Sequence, residues 1–89
     1  MTPDALIINQ KDNVSIALHD IAAGETANLS DGSSLAVVAD IKFSHKLLLV
    51  DVIKGEDIIK YGQVIGQATQ DLKKGDWLHT HNLTLDEHA

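Results

Sequence analysis

The sequence predicts a small, single-domain, mostly-β protein with short strands and little helix. Val and Ile together number 15 of the 89 residues, and their β-branched side chains pack well on a pleated surface. The six glycines lie at spaced intervals between short apolar runs, and Pro3 is the only proline, so nothing inside the chain is barred from a β-ladder. No segment has a long apolar stripe with the helical period of about 3.6 residues. This length allows one domain, which we take as residues 1–89.

The apolar runs locate the strands in order along the chain. They lie at residues 5–9, 14–21, 35–38, 46–53, 64–69 and 77–83. Residues 14–21 alternate imperfectly between apolar and polar, which is typical of a half-buried strand. Residues 46–53 are apolar on both faces, which favours a strand covered on both sides and leaves a buried helical turn as the alternative. Between the second and third runs, Asp31-Gly32 predicts a tight turn.

One short pattern occurs three times, at residues 20–25, 51–56 and 71–76. It consists of Asp, an apolar residue, two further residues, Gly and an acidic residue. The intervals of 31 and 20 residues exclude a solenoid of fixed period. A strand that ends on the apolar residue, followed by a glycine with positive φ, explains the pattern. We therefore interpret it as three similar turns with an architectural role.

The composition excludes several classes of protein. All seven basic residues are Lys, the chain has no Arg, and the formal charge is −6, which argues against a nucleic-acid-binding surface. Without Cys, neither a disulfide scaffold nor a thiolate metal site can form. No apolar run approaches the roughly 18 residues of a membrane span, and the start lacks the cationic residues of a signal peptide. We expect a cytoplasmic protein with no nucleic-acid or membrane partner.

Four motifs in one order resemble the small domain of a known family. They are residues 12–17 (DNVSIA, like D-N-V-x-x-A), His45-Lys46 (like G-H-K), residues 59–69 (IKYGQVIGQAT, like I-x-Y-G-x-x-I-G-x-A) and residues 75–82 (GDWLHTHN, like G-x-x-[V/L]-H-x-H-N). Together they span residues 12–82. The chain thus resembles the SAF-type domain of the altronate/galactarate dehydratase family, in which sulfolactate sulfo-lyases have a separate small subunit of this type. It departs from the pattern at Ser44, which replaces a glycine, and serine disfavours positive φ.

The resemblance implies a β-clip fold and a part in sugar-acid metabolism. It implies the small subunit, or the N-terminal domain, of a hydro-lyase such as altronate dehydratase. Together with a large catalytic subunit, such an enzyme converts a 2,3-dihydroxy acid into a 2-keto-3-deoxy acid, and we expect the isolated chain to be inactive. The alternatives are a stand-alone SAF module that binds a ligand without catalysis, and an assembly module that pairs through an exposed strand edge into a homo-oligomer.

His79 and His81 are the sharpest candidates for chemistry. In an extended segment, residues two apart project from the same face, about 7 Å apart. Two imidazoles so placed can bind Fe²⁺, Mn²⁺ or Zn²⁺ if His45, a carboxylate, water or another chain supplies further ligands. The family's metal-assisted dehydration agrees with this assignment. The alternatives are that the pair lines the surface where a partner's active site is completed, or only decorates a strand end.

His45, Lys46 and Asn82 are candidates for contact with the substrate. The Lys46 ammonium precedes an apolar run and can meet a carboxylate as a point charge, whereas no Arg is available for a bidentate clamp. The alternative for Lys46 is a solvated charge at the start of a strand. Asn82 joins the histidine pair on the surface that faces the partner.

Three other features have structural interpretations. Trp77 shares the face of His79 and His81 if its strand is regular, and we interpret it as a core anchor in preference to a partner-facing hot spot. We interpret His19, at a strand end, as structural. Residues 84–89, which include His88, are expected to form a disordered tail.

Overall fold

The computed structural model describes residues 2–79 and 81–85, which form nine β-strands and no helix, so the mostly-β prediction is confirmed. No segment of these residues is therefore a helix that could cross a membrane. The strands are β1 (Ala5–Leu6), β2 (Val14–Ala17), β3 (Thr26–Asn28), β4 (Ser34–Ala36), β5 (Lys46–Leu48), β6 (Asp57–Lys60), β7 (Gln63–Ala68), β8 (Trp77–Leu78) and β9 (Leu83–Leu85).

The strands form three antiparallel sheets. The first sheet has the order β1-β2-β5-β8, the second is the β3-β4 hairpin, and the third has the order β6-β7-β9. In the first sheet, Leu47 of β5 lies opposite Ser15 of β2 on one side and Trp77 of β8 on the other. This register brings residues that are some 30 positions apart in sequence to the same end of the sheet, where the candidate site lies.

The backbone repeats itself after 31 residues, so that residues 17–47 (the first unit) correspond to residues 48–78 (the second unit). The isolated bridge Ile21–Ile41 of the first unit recurs as Val52–Leu72 in the second. The recurrence reveals a fourth turn of the repeated kind at residues 40–45 (DIKFSH), which the sequence pattern does not include because Ser44 replaces the glycine and His45 replaces the acidic residue. Its hydrogen bond from His45 N to Lys42 O (3.0 Å) matches that from Asp76 N to Lys73 O (3.0 Å).

The aspartates that open these turns clamp each unit together. In both units, the carboxylate that begins one turn accepts a hydrogen bond from a backbone N–H of the other turn. These donor–acceptor pairs are Phe43–Asp20 (2.8 Å) and Ala23–Asp40 (2.9 Å) in the first unit, and Lys74–Asp51 (2.8 Å) and Lys54–Asp71 (2.9 Å) in the second. The repeated pattern is therefore architectural, since its acids satisfy backbone donors that no strand partner reaches.

Each unit surrounds its own hydrophobic core, and the first sheet separates the two. Ala17 and Leu47 pack into the first core, whereas Val14 and Leu48 pack into the second. Because neighbouring strand residues point to opposite faces, Leu47 and Leu48 are both fully buried. Strand β5 is thus covered on both sides, as the sequence predicts, but it ends at Leu48, and Val52 makes only an isolated bridge.

Among the residues that the structure describes, two that are not glycine have positive φ, Ser44 (71°) and Tyr61 (57°), and both are exposed turn residues. Ser44 adopts the conformation for which a glycine is expected, so the turn forms despite the substitution. Its counterpart in the second unit, Gly75, has no such freedom. A Cβ on Gly75 would lie 2.1 Å from the Ala36 carbonyl oxygen, which only glycine avoids.

The C-terminal part differs from the expected single strand and tail. Residues 77–83 do not form one strand, because β8 ends at Leu78 and a turn follows it before β9 begins at Leu83. Thr84 and Leu85, expected in the tail, pair with Gln67 and Gly66 of β7. The remainder of the predicted tail, with His88, lies outside the described residues.

Candidate functional site

Four aromatic rings gather at the end of the first sheet, where β5 pairs with β8. We call His45, Trp77, His79 and His81 the ring cluster. The His45 and His79 ring centroids are 4.8 Å apart with an interplanar angle of 7°, and Trp77 stacks on His79 at 5.2 Å and 13°. His81 lies 4.8 Å from Trp77 in a tilted arrangement. The structure thus brings together His79, His81 and His45, three of the residues that the sequence singles out.

Trp77 links the rings to each other and to the core. It is half-buried, packs against the first core and donates a hydrogen bond from Nε1 to His45 Nδ1 at 3.0 Å. Because indole N–H is only a donor, His45 Nδ1 must be an acceptor, which places the imidazole proton on Nε2. The core role predicted for Trp77 is therefore only part of its function, since the same side chain fixes the His45 tautomer.

Asn82 holds the turn that carries His79 and His81. Its side chain is buried, with 1% exposure, and both ends of the amide are used. Oδ1 accepts from the His79 backbone N–H at 2.8 Å, and Nδ2 donates to the Trp77 carbonyl at 2.8 Å. The sequence places Asn82 on the substrate side, but these contacts make it a positioning residue. The same turn and contacts with Trp77 also hold His79 and His81. The sequence predicts this pair in an extended strand, whereas in the structure the strand β8 ends before His79.

The electrostatic surroundings of His79 favour its neutral form. Partial desolvation lowers the pKa of His79, and repulsion between a protonated His79 and a protonated His45, the Lys46 ammonium or a protonated His81 lowers it further. Each of these neighbours disfavours a second positive charge. At neutral pH, His79 therefore presents an uncharged imidazole that can accept a proton.

Lys46 lies beside the ring cluster but on the other face of β5. In the register of the sheet it is opposite Ile16 of β2 and Leu78 of β8, and it is half-buried. Burial lowers the pKa of Lys46, and the positive charge of Lys60 lowers it further. His45 and Lys46 are therefore neighbours in sequence that serve opposite faces of the sheet.

The described residues do not supply a complete set of metal ligands. Within residues 2–79 and 81–85, no three His, Asp or Glu side chains come close enough to hold an ion. His45 Nδ1 is already engaged by Trp77. A metal at His79 and His81 would need its remaining ligands from elsewhere, and the predicted Fe²⁺, Mn²⁺ or Zn²⁺ site stays a prediction.

The ring cluster lies on open surface. Four surface cavities among the described residues are lined by other side chains; one, for example, lies between Ile7, Leu49 and Asp12. His81 is exposed, and His45, Trp77 and His79 are each partly exposed. No local pattern in the sequence indicates Lys60, whose positive charge contributes to the lowered pKa of Lys46. The sequence signals for the histidines of the ring cluster are the His45-Lys46 step and the pair His79 and His81.

The strands and turns described above form a small antiparallel β-domain, and comparison with known families gives the family to which it belongs. A family model described as the altronate/galactarate dehydratase SAF domain matches residues 3–86, and the chain belongs to this family. The resemblance drawn from the sequence motifs is thereby confirmed.

Relatives occur both as parts of large enzymes and as a small subunit. The chain is 43% identical over 75 residues to altronate dehydratase of Bacillus subtilis (strain 168), covering 84% of this chain and 15% of the relative. Identity to galactarate dehydratase (L-threo-forming) of Escherichia coli (strain K12) is 33% over 88 residues, or 97% of this chain and 16% of the relative. The (2R)-sulfolactate sulfo-lyase subunit alpha of Paracoccus pantotrophus is 40% identical over 55 residues, or 60% and 82%. The chain therefore spans about 15% of the length of the altronate dehydratase that it matches.

Proposed function

We propose that this chain is the small subunit, or the N-terminal domain, of a cytoplasmic sugar-acid hydro-lyase of the altronate dehydratase type. A large catalytic polypeptide would complete the enzyme. Family membership supports the proposal, as does the small share of the related dehydratases that the chain covers. The coverage of 82% of a sulfo-lyase alpha subunit supports an arrangement in which this domain is a separate polypeptide.

The observation that carries the proposal is the open position of the ring cluster. His45, Trp77 and His79 are held together by stacking and by the Trp77–His45 hydrogen bond, and His81 lies tilted over Trp77 at 4.8 Å. Trp77 is the only tryptophan of the chain. These rings can contact a substrate from one side only, because they lie on open surface. Catalysis on a polar substrate requires groups that surround the substrate and exclude water. A second polypeptide docked on this edge would supply those groups.

Two of the rings, His79 and His45, have the chemistry that the reaction requires. Dehydration of a 2,3-dihydroxy acid breaks the C–H bond next to the carboxylate and the C–O bond of the neighbouring hydroxyl. It releases water and an enol, which tautomerises to the 2-keto-3-deoxy acid. The neutral His79 ring is suited to accept a proton, and the Nε2–H of His45 is suited to donate a hydrogen bond to a substrate oxygen. Most of the catalytic groups would belong to the large polypeptide.

A divalent metal remains part of the proposal, with two ligands assigned to this chain. With an ion bound, His79 and His81 would each give their one unprotonated imidazole nitrogen to Fe²⁺, Mn²⁺ or Zn²⁺, and the other ligands would come from the large polypeptide. In that case the large polypeptide would also supply the proton acceptor, because the nitrogen of His79 would be occupied by the ion. When bound, such an ion would act as a Lewis acid on the developing negative charge. The described residues hold no third ligand near this pair, so this chain alone would not complete the site.

Co-purification and reconstitution test the proposal. The chain is tagged in its native host, the large polypeptide that co-purifies is identified, and the complex is assayed for release of a 2-keto-3-deoxy acid from altronate. We expect turnover from the complex, none from the isolated chain, and a loss of at least about 100-fold in His79→Ala, as is typical when a positioned acid–base group is removed. The matched control is His19→Gln, which removes an imidazole outside the ring cluster. Full activity of the isolated chain, or equal activity of both variants, would contradict the proposal.

The sulfo-lyase relative favours a second candidate reaction at the same site. If the complex releases sulfite from sulfolactate and leaves altronate unchanged, the chain is the small subunit of a sulfo-lyase. If no large polypeptide accompanies the chain, the stand-alone binding or assembly module is the better explanation, and the proposal fails.

A further inference from the structure

One face of the first sheet is only partly covered. Cross-strand neighbours in antiparallel strands have their side chains on the same face, and one such row across β1, β2, β5 and β8 consists of Leu6, Ile16, Lys46 and Leu78. Leu78 is buried in the second core, Lys46 and Ile16 are half-buried, and Leu6 is 39% exposed. We call Leu6, Ile16 and Lys46 the open row.

The rest of this sheet is covered on both faces. On the face opposite the open row, Ala5, Ala17 and Leu47 are fully buried in the first core. On the same face as the open row, Val14 and Leu48 are buried in the second core. Adjacent apolar side chains left accessible on an otherwise covered sheet mark a surface that a partner can cover, because removing them from water is favourable.

Charge indicates what kind of partner fits the open row. Lys46 lies between the hydrocarbon side chains of Ile16 and Leu78. Among residues 2–79 and 81–85 the structure contains one ion pair, and Lys46 is not part of it. A partly desolvated ammonium is stabilised by a carboxylate that approaches it. A second copy of the chain fits poorly, because a two-fold contact would bring together two Lys46 ammonium groups and two chains of formal charge −6.

We propose that the open row is a docking surface for a segment of the large polypeptide that carries apolar side chains and one carboxylate. The apolar side chains would cover Leu6 and Ile16, and the carboxylate would pair with the Lys46 ammonium. The inference rests on the proposed function, and it deepens that function by assigning the partner a second area of contact. Lys46 directly follows His45 of the ring cluster, so a polypeptide that covers the cluster need only pass around the end of the sheet to reach the open row.

Cysteine footprinting tests the inference, because the chain has no Cys of its own. Leu6→Cys places a thiol in the open row, and the control Ile53→Cys places one at a turn residue that is 65% exposed. Urea unfolding first shows that each variant folds, and each is then alkylated with iodoacetamide, alone and in the co-purified complex. We expect the complex to slow the alkylation of Leu6→Cys about tenfold or more and that of Ile53→Cys less than about twofold, because a covered thiol is inaccessible to the reagent.

The affinity of the complex provides a second measurement, by calorimetric titration of the large polypeptide with the chain. Lys46→Gln should weaken binding about tenfold or more, the loss typical of a hydrogen bond to a charged group. Lys54→Gln is the matched control. It removes the same charge from an exposed turn residue, and its affinity should stay within about twofold of the parent because surface charges at a distance are screened.

Three results would overturn the inference. They are equal weakening in Lys46→Gln and Lys54→Gln, equal protection of Leu6→Cys and Ile53→Cys in the complex, and protection of Leu6→Cys that rises with the concentration of the isolated chain. The last result would mean that a second copy of the chain covers the open row.

The docking surface and the proposed function can fail separately. If the complex protects Leu6→Cys but turns over no sugar acid, only the proposed function is contradicted. If the complex is active and Leu6→Cys reacts as fast in it as in the isolated chain, only the docking surface is contradicted. If no large polypeptide accompanies the chain, both are contradicted.

Discussion

The turns at residues 40–45 and 71–76 have the same backbone and different side chains. Ser44 N donates to Ala17 O at 2.8 Å, and its counterpart Gly75 N donates to Leu48 O at 2.9 Å. The backbone N–H groups of Ala17 and Leu48 in turn donate to the carbonyls of the next residue of each turn, both at 3.0 Å. The shared hydrogen bonds fix the backbone in both units. What distinguishes the units is the chemistry of the side chains that this backbone presents.

Two residues of the candidate site differ in chemical kind from their equivalents in the other unit. His45 corresponds to Asp76, and Lys46 corresponds to Trp77. Asp76 accepts a hydrogen bond from the Trp77 backbone N–H at 2.8 Å, a local turn contact, whereas His45 accepts from the Trp77 side chain. Where the fold does not require the same side chain in both units, the side chain can serve another purpose. The comparison therefore distinguishes residues that stabilise the fold from residues that are candidates for function.

The largest expected effect comes from exchanging the turn residue between the units. Gly75→Ser should destabilise the protein by about 3 kcal/mol or more, because positive φ costs about 1–3 kcal/mol and the new Cβ meets the Ala36 carbonyl. Ser44→Gly should be close to neutral, within about 1 kcal/mol, because Ser44 is exposed. Urea unfolding at constant pH measures both. Equal effects of the two substitutions would show that the turns are interchangeable.

Removing the Asn82 amide should have the next largest effect. Asn82→Ala leaves the His79 N–H and the Trp77 carbonyl without their partners, and each buried unsatisfied group costs about 1–3 kcal/mol. Asn82→Asp keeps the acceptor for His79 but puts a carboxylate oxygen against the Trp77 carbonyl in a buried position, so at neutral pH its loss of stability should be at least as large as that of Asn82→Ala. The loss should decrease at low pH, where the protonated acid can donate to that carbonyl. Urea unfolding gives the free energies, and near-UV circular dichroism of Trp77 reports on the ring cluster. Unchanged stability in Asn82→Ala would contradict the positioning role.

Trp77→Phe should cost less, because it keeps an aromatic ring and removes the indole N–H. The lost hydrogen bond to His45 is worth about 1 kcal/mol, and the smaller ring leaves some space against the first core. Proton NMR should show that His45 loses its fixed tautomer, while the His19 signals stay the same. If the His45 signals are unaffected, the Trp77–His45 contact does not set the tautomer.

The smallest expected effect on stability comes from a substitution of His19. Its equivalent in the second unit is the exposed Val50. His19 Nε2 lies 2.7 Å from Asp4 Oδ1, and Nδ1 donates to the Asp20 carbonyl at 2.9 Å. These contacts, the Asp20 carbonyl first and the Asp4 carboxylate second, raise the pKa of His19 above 6.5. The pKa of Asp4 is lowered from 3.8, first by the Asn28 N–H and then by His19.

The sign of the pH dependence follows from these two shifts. The contribution of His19 is fully present below about pH 6.5 and is lost as pH rises through its raised pKa in the folded state. The contribution of Asp4 is present above about pH 3.8 and is lost as pH falls through its lowered pKa. His19→Gln should therefore flatten the pH dependence of the urea midpoint above about pH 6.5, by a small amount because the pair is exposed. An identical pH profile for parent and variant would rule out this contribution.

Local chemistry in the sequence predicts the fold class and the turns, because a glycine with positive φ acts within its own turn. The hydrogen-bond partners of the turn aspartates lie 17 or 23 residues away in the other turn of the unit, so no local pattern predicts them. Local chemistry predicts strand lengths less well. Residues 46–53 read as one strand, but only Lys46–Leu48 has a continuous partner, and Val52 is held by a single bridge to Leu72. The fourth turn was missed because Ser44 adopts a conformation usually reserved for glycine.

The candidate site was predictable in its residues and less so in their roles. His45, His79 and His81 were identified, but the joining of His45 to Trp77 depends on the register between β5 and β8, which no local pattern encodes. Asn82 was expected to face the substrate. It is turned inward because its amide matches the donor and acceptor left open by the short strand β8.

The first sheet also affects how the protein unfolds. Because β2 and β5 give one face to each hydrophobic core, neither core can lose its packing while the other stays intact. The chain should therefore unfold in a single cooperative step, with the slowest hydrogen exchange at the amides that join these two strands. A duplicated backbone built in this way cannot be cut into two independently stable pieces.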